Sequence, residues 1–206
     1  RDLVRSRGLG DVYKRQKKTL HLLMKELCKI KGIRWIRVLY CYPEEIYDEL
    51  IQVMKEEKKI CHYLDLPIQH ASDRILKRMG RRTTRAQLTA TIEKLRKEIP
   101  DIVLRTTLIT GFPGETEEDH QELMEFVDEM EFDRLGAFTY SPEEGTPAET
   151  MEDQIPEEIK EERRDEIMEL QQEISLEKGN DRIGQELLVM IEGKVSGESA
   201  YIARTY

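Results

Sequence analysis

Cysteine is scarce in these 206 residues: Cys28, Cys41 and Cys61 are all there is, 13 and 20 positions apart. A metal or cluster loop needs several thiolates within a few residues, and these spacings offer none. An odd, small count also excludes a disulfide framework, so the thiols read as buried and reduced. Long apolar runs are missing too. None approaches the ~20 residues a membrane span needs. No apolar segment follows the basic N-terminus in the manner of a secretory signal. The expected setting is the cytoplasm, with a monomeric chain and no membrane partner.

Charge is abundant, at 36% of residues beside 38% hydrophobic, which suits a helix-rich protein with amphipathic surface helices. It is unevenly spread: residues 1–40 hold 12 Lys/Arg and 3 Asp/Glu, the remainder 21 and 39. A basic start can touch nucleic acid, but residues 1–16 show no helical or strand period. They are expected to be a disordered or non-native tail.

From Lys17 onward strand and helix patterns alternate. Leu20, Leu23, Met24 and Leu27 repeat at helical spacing up to Gly32. Residues 33–42 are β-branched and aromatic and predict a strand ending at Pro43. A helix is expected over 44–58, with Ile46, Leu50, Val53 and Met54 inward, then a strand over 60–66. Thr84 and Gln87 form a capping box for a helix whose inner face is Leu88, Ile92, Leu95 and Ile99. Residues 102–110 predict a third strand. Thr116 caps a helix with acids in its first turn and the stripe Leu123, Phe126, Val127 and Met130. Residues 133–140 predict a fourth strand. Strands separated by such helices run parallel, which makes the class α/β. Both a barrel and an open doubly wound sheet satisfy the pattern. The opening helix lacks a strand to pack on, which favours part of a (β/α) barrel.

After Tyr140 the character changes. The turn-like SPEEGTP leads to Pro156, which opens a long helix with Ile159, Ile167, Leu170 and Ile174 as its stripe and Gly179 as its stop. Residues 143–169 hold twelve acids and three bases, read as a solvated helix face. Residues 185–206 alternate in β fashion around Gly193 and Gly197, as the first hairpin of a small all-β module would.

In parallel α/β folds ligands sit beyond the carboxyl ends of the strands. Three polar loops fall there: Leu66 to Ser72, Thr110 to Thr116, and Tyr140 to Pro142. In the second, two glycines allow close backbone approach, Phe112 offers a ring for stacking, and the helix start at Thr116 favours a carboxylate or phosphate. Taken alone, such a loop is more often a tight turn that merely caps a helix. Gln69 and His70 offer an amide and an imidazole; a lone histidine is more often structural, and no nucleophile is spaced to pair with it. Arg105 sits in an apolar strand. It either faces inward onto an anionic ligand group or outward onto a helix acid.

Together, LPIQHASDRILKRMGRRTT at 66–84, LRTTLITGFPGETEED at 104–119 and FTYSPEEGTPAETMEDQIPEEIKEERR at 138–164 resemble the radical-SAM methylthiotransferases. Gln69-His70-Ala71, Arg105-Thr106-Thr107 and the closing YIARTY are similar to the branch that modifies a ribosomal protein rather than tRNA. The resemblance implies a partial TIM-like barrel over 17–155, a linker helix over 156–182 and the start of a TRAM β module over 183–206. It implies S-adenosyl-L-methionine held at a 4Fe–4S cluster, and a deoxyadenosyl radical that takes hydrogen from an aspartate β-carbon. A second cluster is implied in sulfur supply and another S-adenosyl-L-methionine in methyl supply. The implied substrate is a small-subunit ribosomal protein, with RNA or ribosome contact through the TRAM module. Carried over by position, Gln69, His70 and Ser72 match a loop near cofactor and substrate. Arg105 and Thr107 match a strand facing the cofactor, and Ile109, Gly111 and Phe112 the loop beside its adenine. The chain departs from the family in having no CxxxCxxC, so as given it is expected to be inactive. Two rival readings are a tRNA adenosine methylthiotransferase and a non-catalytic nucleotide-binding barrel piece.

Overall fold

A computed structural model describes residues 19–206, so the expectation for residues 1–16 lies outside the described residues. Its centre is a four-stranded parallel sheet, ordered as in the sequence: β1 (Ile36–Val38), β2 (Ile60–Asp65), β3 (Val103–Thr110) and β4 (Arg134–Thr139). Between and around them lie α1 (Leu20–Cys28), α2 (Asp48–Glu56), α3 (Asp73–Arg78), α4 (Arg85–Glu98), α5 (Glu117–Met130) and α6 (Glu157–Asn180). An antiparallel hairpin, β5 (Met190–Lys194) with β6 (Tyr201–Arg204), follows and turns near Gly197, whose φ is +81°.

The sheet has one covered face and one that is only partly open, since Cys61, Tyr63 and Asp65 of β2 are buried on it as well. Along β3 burial alternates: Leu104, Thr106, Leu108 and Thr110 are buried, whereas Val103, Arg105, Thr107 and Ile109 are half-buried. Leu104 and Leu108 join Leu64, Leu135 and Ala137 in one core with Met24, Leu50, Met54, Leu88, Ile92, Leu95, Leu123, Phe126, Val127 and Ile167 from the helices. Period-2 strands meeting period-3.6 helices on one side give this arrangement. On the other side Phe138 is 59% exposed. Beside it, register places Arg105 next to Arg134, Thr107 next to Gly136 and Ile109 next to Phe138.

Both capping boxes form. Thr84 accepts the Gln87 amide while Gln87 accepts the Thr84 amide, and Thr116 and Asp119 reciprocate in the same way. The stripes anticipated for α4 and α5 are buried throughout.

Four expectations need correction. The strand anticipated over 33–42 shrinks to Ile36–Val38, because Tyr40 adopts φ +56° and Pro43 begins a 3-10 turn, Pro43–Glu45. The helix anticipated over 44–58 then starts only at Asp48, since Ile46 and Tyr47 are extended. α3, six residues long, was not anticipated; it is too short for a helical period to declare itself. On α6 the buried face is Lys160, Arg163, Ile167, Gln171 and Ile174, with Ile159 exposed, and Gly179 lies within the helix. Three of these five residues are polar, so hydrophobic spacing finds Ile167 and Ile174 but not Lys160, Arg163 and Gln171.

Candidate functional site

The carboxyl ends of β2, β3 and β4 carry the three loops singled out in the sequence, and backbone bonds fasten them to one another. Gln69, with φ +70°, donates its amide to the Thr107 carbonyl at 3.0 Å and accepts the Ile109 amide at 2.8 Å, so the first loop runs on beside β3. The Tyr140 amide donates to the Thr110 carbonyl at 2.8 Å, joining the second and third loops.

On the open face, Arg105 donates from Nη1 to Oδ2 of Asp65 at 2.9 Å. Register explains the pair, since Asp65 and Arg105 are lateral neighbours in the ladder. Asp65 is 1% exposed and its Oδ1 has no hydrogen-bond partner, whereas the Arg105 side chain is 37% exposed. Arg105 is therefore on the face turned away from the helices, with a strand acid and not a helix acid beside it. Thr107 and Ile109 line the same side, both half-buried, whereas Gln69, also half-buried, bridges to Leu108 at the strand end.

His70 and Ser72 take a different position. Both are buried, at 0% and 2% exposure. His70 Nδ1 accepts the Ser72 amide at 3.0 Å, which leaves the ring proton to Nε2, and Nε2 lies 3.4 Å from Glu115 Oε2. Ser72 donates to Asp119 at 2.6 Å. Their side chains thus brace the second loop from behind the open face.

Glu115, 3% exposed, is the centre of that loop. Its Oε2 accepts the amides of Gly111 at 2.9 Å and Phe112 at 3.3 Å, and its Oε1 accepts Arg163 Nη1 at 2.9 Å. Burial pushes its carboxyl up, but His70, the Gly111 amide and Arg163 outweigh burial and hold it below the usual carboxylate range. The helix start is occupied as well: Asp119 takes Arg74, Ser72 and the Thr116 amide. The expectation that this turn and helix start receive an outside carboxylate or phosphate is corrected, because Glu115 and Asp119 already fill those donors. So is the stacking ring, for Phe112 is 6% exposed and packs against Ile75 and, edge-on, Tyr140.

Sequence reading missed Asp65, Lys160 and Arg163. Only strand register brings Asp65 to Arg105, and only the fold brings α6 to the loop. Glu115 stood inside the quoted motif, but nothing in the spacing showed its side chain turning back onto its own loop.

The model of the Radical SAM superfamily matches residues 12–127. A relative from Lachnoclostridium phytofermentans, named ribosomal protein uS12 methylthiotransferase RimO, is 63% identical over 190 residues, covering 92% of this chain and 43% of that protein. One of the same name from Clostridium perfringens is 56% identical, with 95% and 43% covered. Among solved structures, the archaeal Elp3 of Methanocaldococcus infernus with an N-terminal deletion superposes with a TM-score of 0.53 at 17% identity, covering 66% of this chain and 32% of that one, which shows the fold alone. The chain belongs to the radical SAM superfamily. It spans under half the length of the curated relatives it matches.

That family implies a cluster and S-adenosylmethionine. The residues here do not fit a cluster: among the described residues no three His, Cys, Asp or Glu converge to hold a metal. Burial raises the thiols of Cys28, Cys41 and Cys61, against the thiolate that iron needs. They do fit the nucleoside cofactor. The open face carries a partly exposed guanidinium, an orphaned carboxylate oxygen on Asp65, and half-buried polar and apolar side chains at one rim.

Proposed function

We propose that this chain is the cofactor- and substrate-facing part of a methylthiotransferase that modifies an aspartate β-carbon in ribosomal protein uS12. Support comes from the identity with RimO relatives and from the open face, where Arg105 stands above a buried Asp65. S-adenosylmethionine, when bound with a cluster held elsewhere in the intact enzyme, supplies the radical chemistry that an unactivated C–H bond demands. The residues here bind and orient. Arg105 is proposed to hold an anionic group, either the cofactor carboxylate or the substrate aspartate, with Thr107 and Gln69 adding hydrogen bonds. Ile109 and the Gly111–Phe112 backbone are proposed to pack beside the adenine, while His70 and Ser72 stiffen the rim.

The hairpin is proposed as the start of a TRAM module through which the enzyme touches RNA or the ribosome, with α6 as the linker from a partial barrel. A cytoplasmic monomer fits this reading. No helix among the described residues is long and apolar enough to cross a membrane.

The test uses the intact, cluster-loaded enzyme with uS12. Mass spectrometry of the digested protein should show one methylthio group gained at an aspartate, dependent on S-adenosylmethionine. Modification of tRNA adenosine in place of uS12 would reassign the substrate, and no transfer to either would overturn the reading.

A further inference from the structure

The buried groups behind the rim point to a role for the linker helix. Arg163 and Lys160, three residues apart on the inner face of α6, reach the ends of two different strands. Arg163 is 7% exposed and gives its guanidinium to Glu115 and, at 3.3 Å, to Glu117. Lys160 is 5% exposed, and its Nζ donates to the Tyr140 carbonyl at 2.9 Å. Its stem closes the space beside Gly111: a Cβ built there would stand 2.9 Å from Lys160 Cβ and collide with Cγ, at a backbone φ of +70°. The Lys160 carbonyl accepts from Thr110 at 3.0 Å. A glycine is required at 111 on both counts, conformation and contact.

Glu115 is the joint between helix and loop. A carboxylate this buried needs a cation, and Arg163 supplies it. The same carboxylate fixes the two successive amides of Gly111 and Phe112. We infer that Arg163 and Glu115 are positioning residues that set the affinity for S-adenosylmethionine from the linker helix, by fixing the backbone of Gly111 and Phe112. The inference rests on the proposed placement of the cofactor beside that backbone. Neither residue faces the open side, so each acts through the loop and not by contact.

The experiment uses the intact, cluster-loaded enzyme and S-adenosylmethionine itself. Arg163→Met should weaken cofactor binding in equilibrium dialysis roughly tenfold, the scale on which one charge-assisted hydrogen bond acts. Turnover at saturating cofactor should hold, so that KM rises and kcat does not fall. Hydrogen exchange should quicken at the amides of Gly111 and Phe112 while the central sheet keeps its protection. Arg163→Lys should recover most of the affinity, and Glu115→Gln should reproduce the loss. Should Arg163→Met fail to fold, Glu115→Gln takes its place with the same two readouts. Unchanged cofactor affinity in the folded variant would overturn the inference. So would exchange that rises evenly across the sheet, the mark of a purely structural contact. A parent enzyme that binds no S-adenosylmethionine sinks the proposed function, whereas equal binding by parent and variant sinks only this inference.

Discussion

Arg105 and Asp65 make an asymmetric pair, one partner open to water and the other sealed. Removing the exposed partner leaves a buried carboxylate unanswered, which is the costly direction. Arg105→Met should therefore lower stability by about 1–3 kcal/mol, below the figure for a fully buried pair because solvent reaches the arginine. Urea unfolding measures it, and adding Asp65→Asn should restore part of the loss. In the intact enzyme Arg105→Lys keeps the charge and loses the planar fork, so affinity for S-adenosylmethionine or for uS12 should fall by about 1–3 kcal/mol; equal affinities would remove Arg105 from the site. Asp119 gives a pH signature. Burial alone would raise its carboxyl, but the bonds from Arg74, Ser72 and Thr116 overcome burial and hold it far below the ordinary range. A depressed folded-state pKa contributes stability that is full above the unfolded value and is lost as pH falls toward the folded one. Stability should decline as pH drops below about 4, and Asp119→Asn should flatten that decline while lowering stability at neutral pH. Urea midpoints across a pH series decide it.

Among the elements, α5 ends on Glu131 in the left-handed region, φ +41°, where a side chain is strained. Glu131→Gly should raise stability by about 1 kcal/mol, the side-chain penalty relieved there, less a few tenths for the exposed contact with Lys178 at 3.6 Å. A rise in Tm would register it. The same helix shows what could be read beforehand. Thr116, its acids and its apolar stripe are local signals, and all of them hold in the fold. α6 shows the opposite: its inner face is set by a partner some fifty residues away, and Lys160 and Arg163 resemble any other charges on an acidic helix. At the site, the loops were legible because glycine and proline punctuate them. The roles inside them were not, because Glu115 turning onto Gly111 and Phe112 is a matter of side-chain direction, which no periodicity encodes.

For the molecule as a whole, the absence of clustered thiols has a direct outcome. Anaerobic reconstitution of this chain with iron and sulfide should give no thiolate–iron charge-transfer absorbance, and stoichiometric cluster formation would contradict the reading of Cys28, Cys41 and Cys61. Phe138 on the sheet, Tyr40 after β1 and Leu23 on α1 are all more than half exposed, so the chain should also bind a hydrophobic dye and self-associate as concentration rises. A monodisperse chain that leaves the dye dark would count against it.

Strand order has a consequence in time. Because β1 to β4 pair in the order in which they are made, each strand leaving the ribosome finds its neighbour already waiting. Arg163, however, emerges 48 residues after Glu115. A nascent chain therefore pairs these four strands while the second loop is still unclasped, and that loop sets only when α6 emerges. Synthesis builds the scaffold first and arms it afterwards.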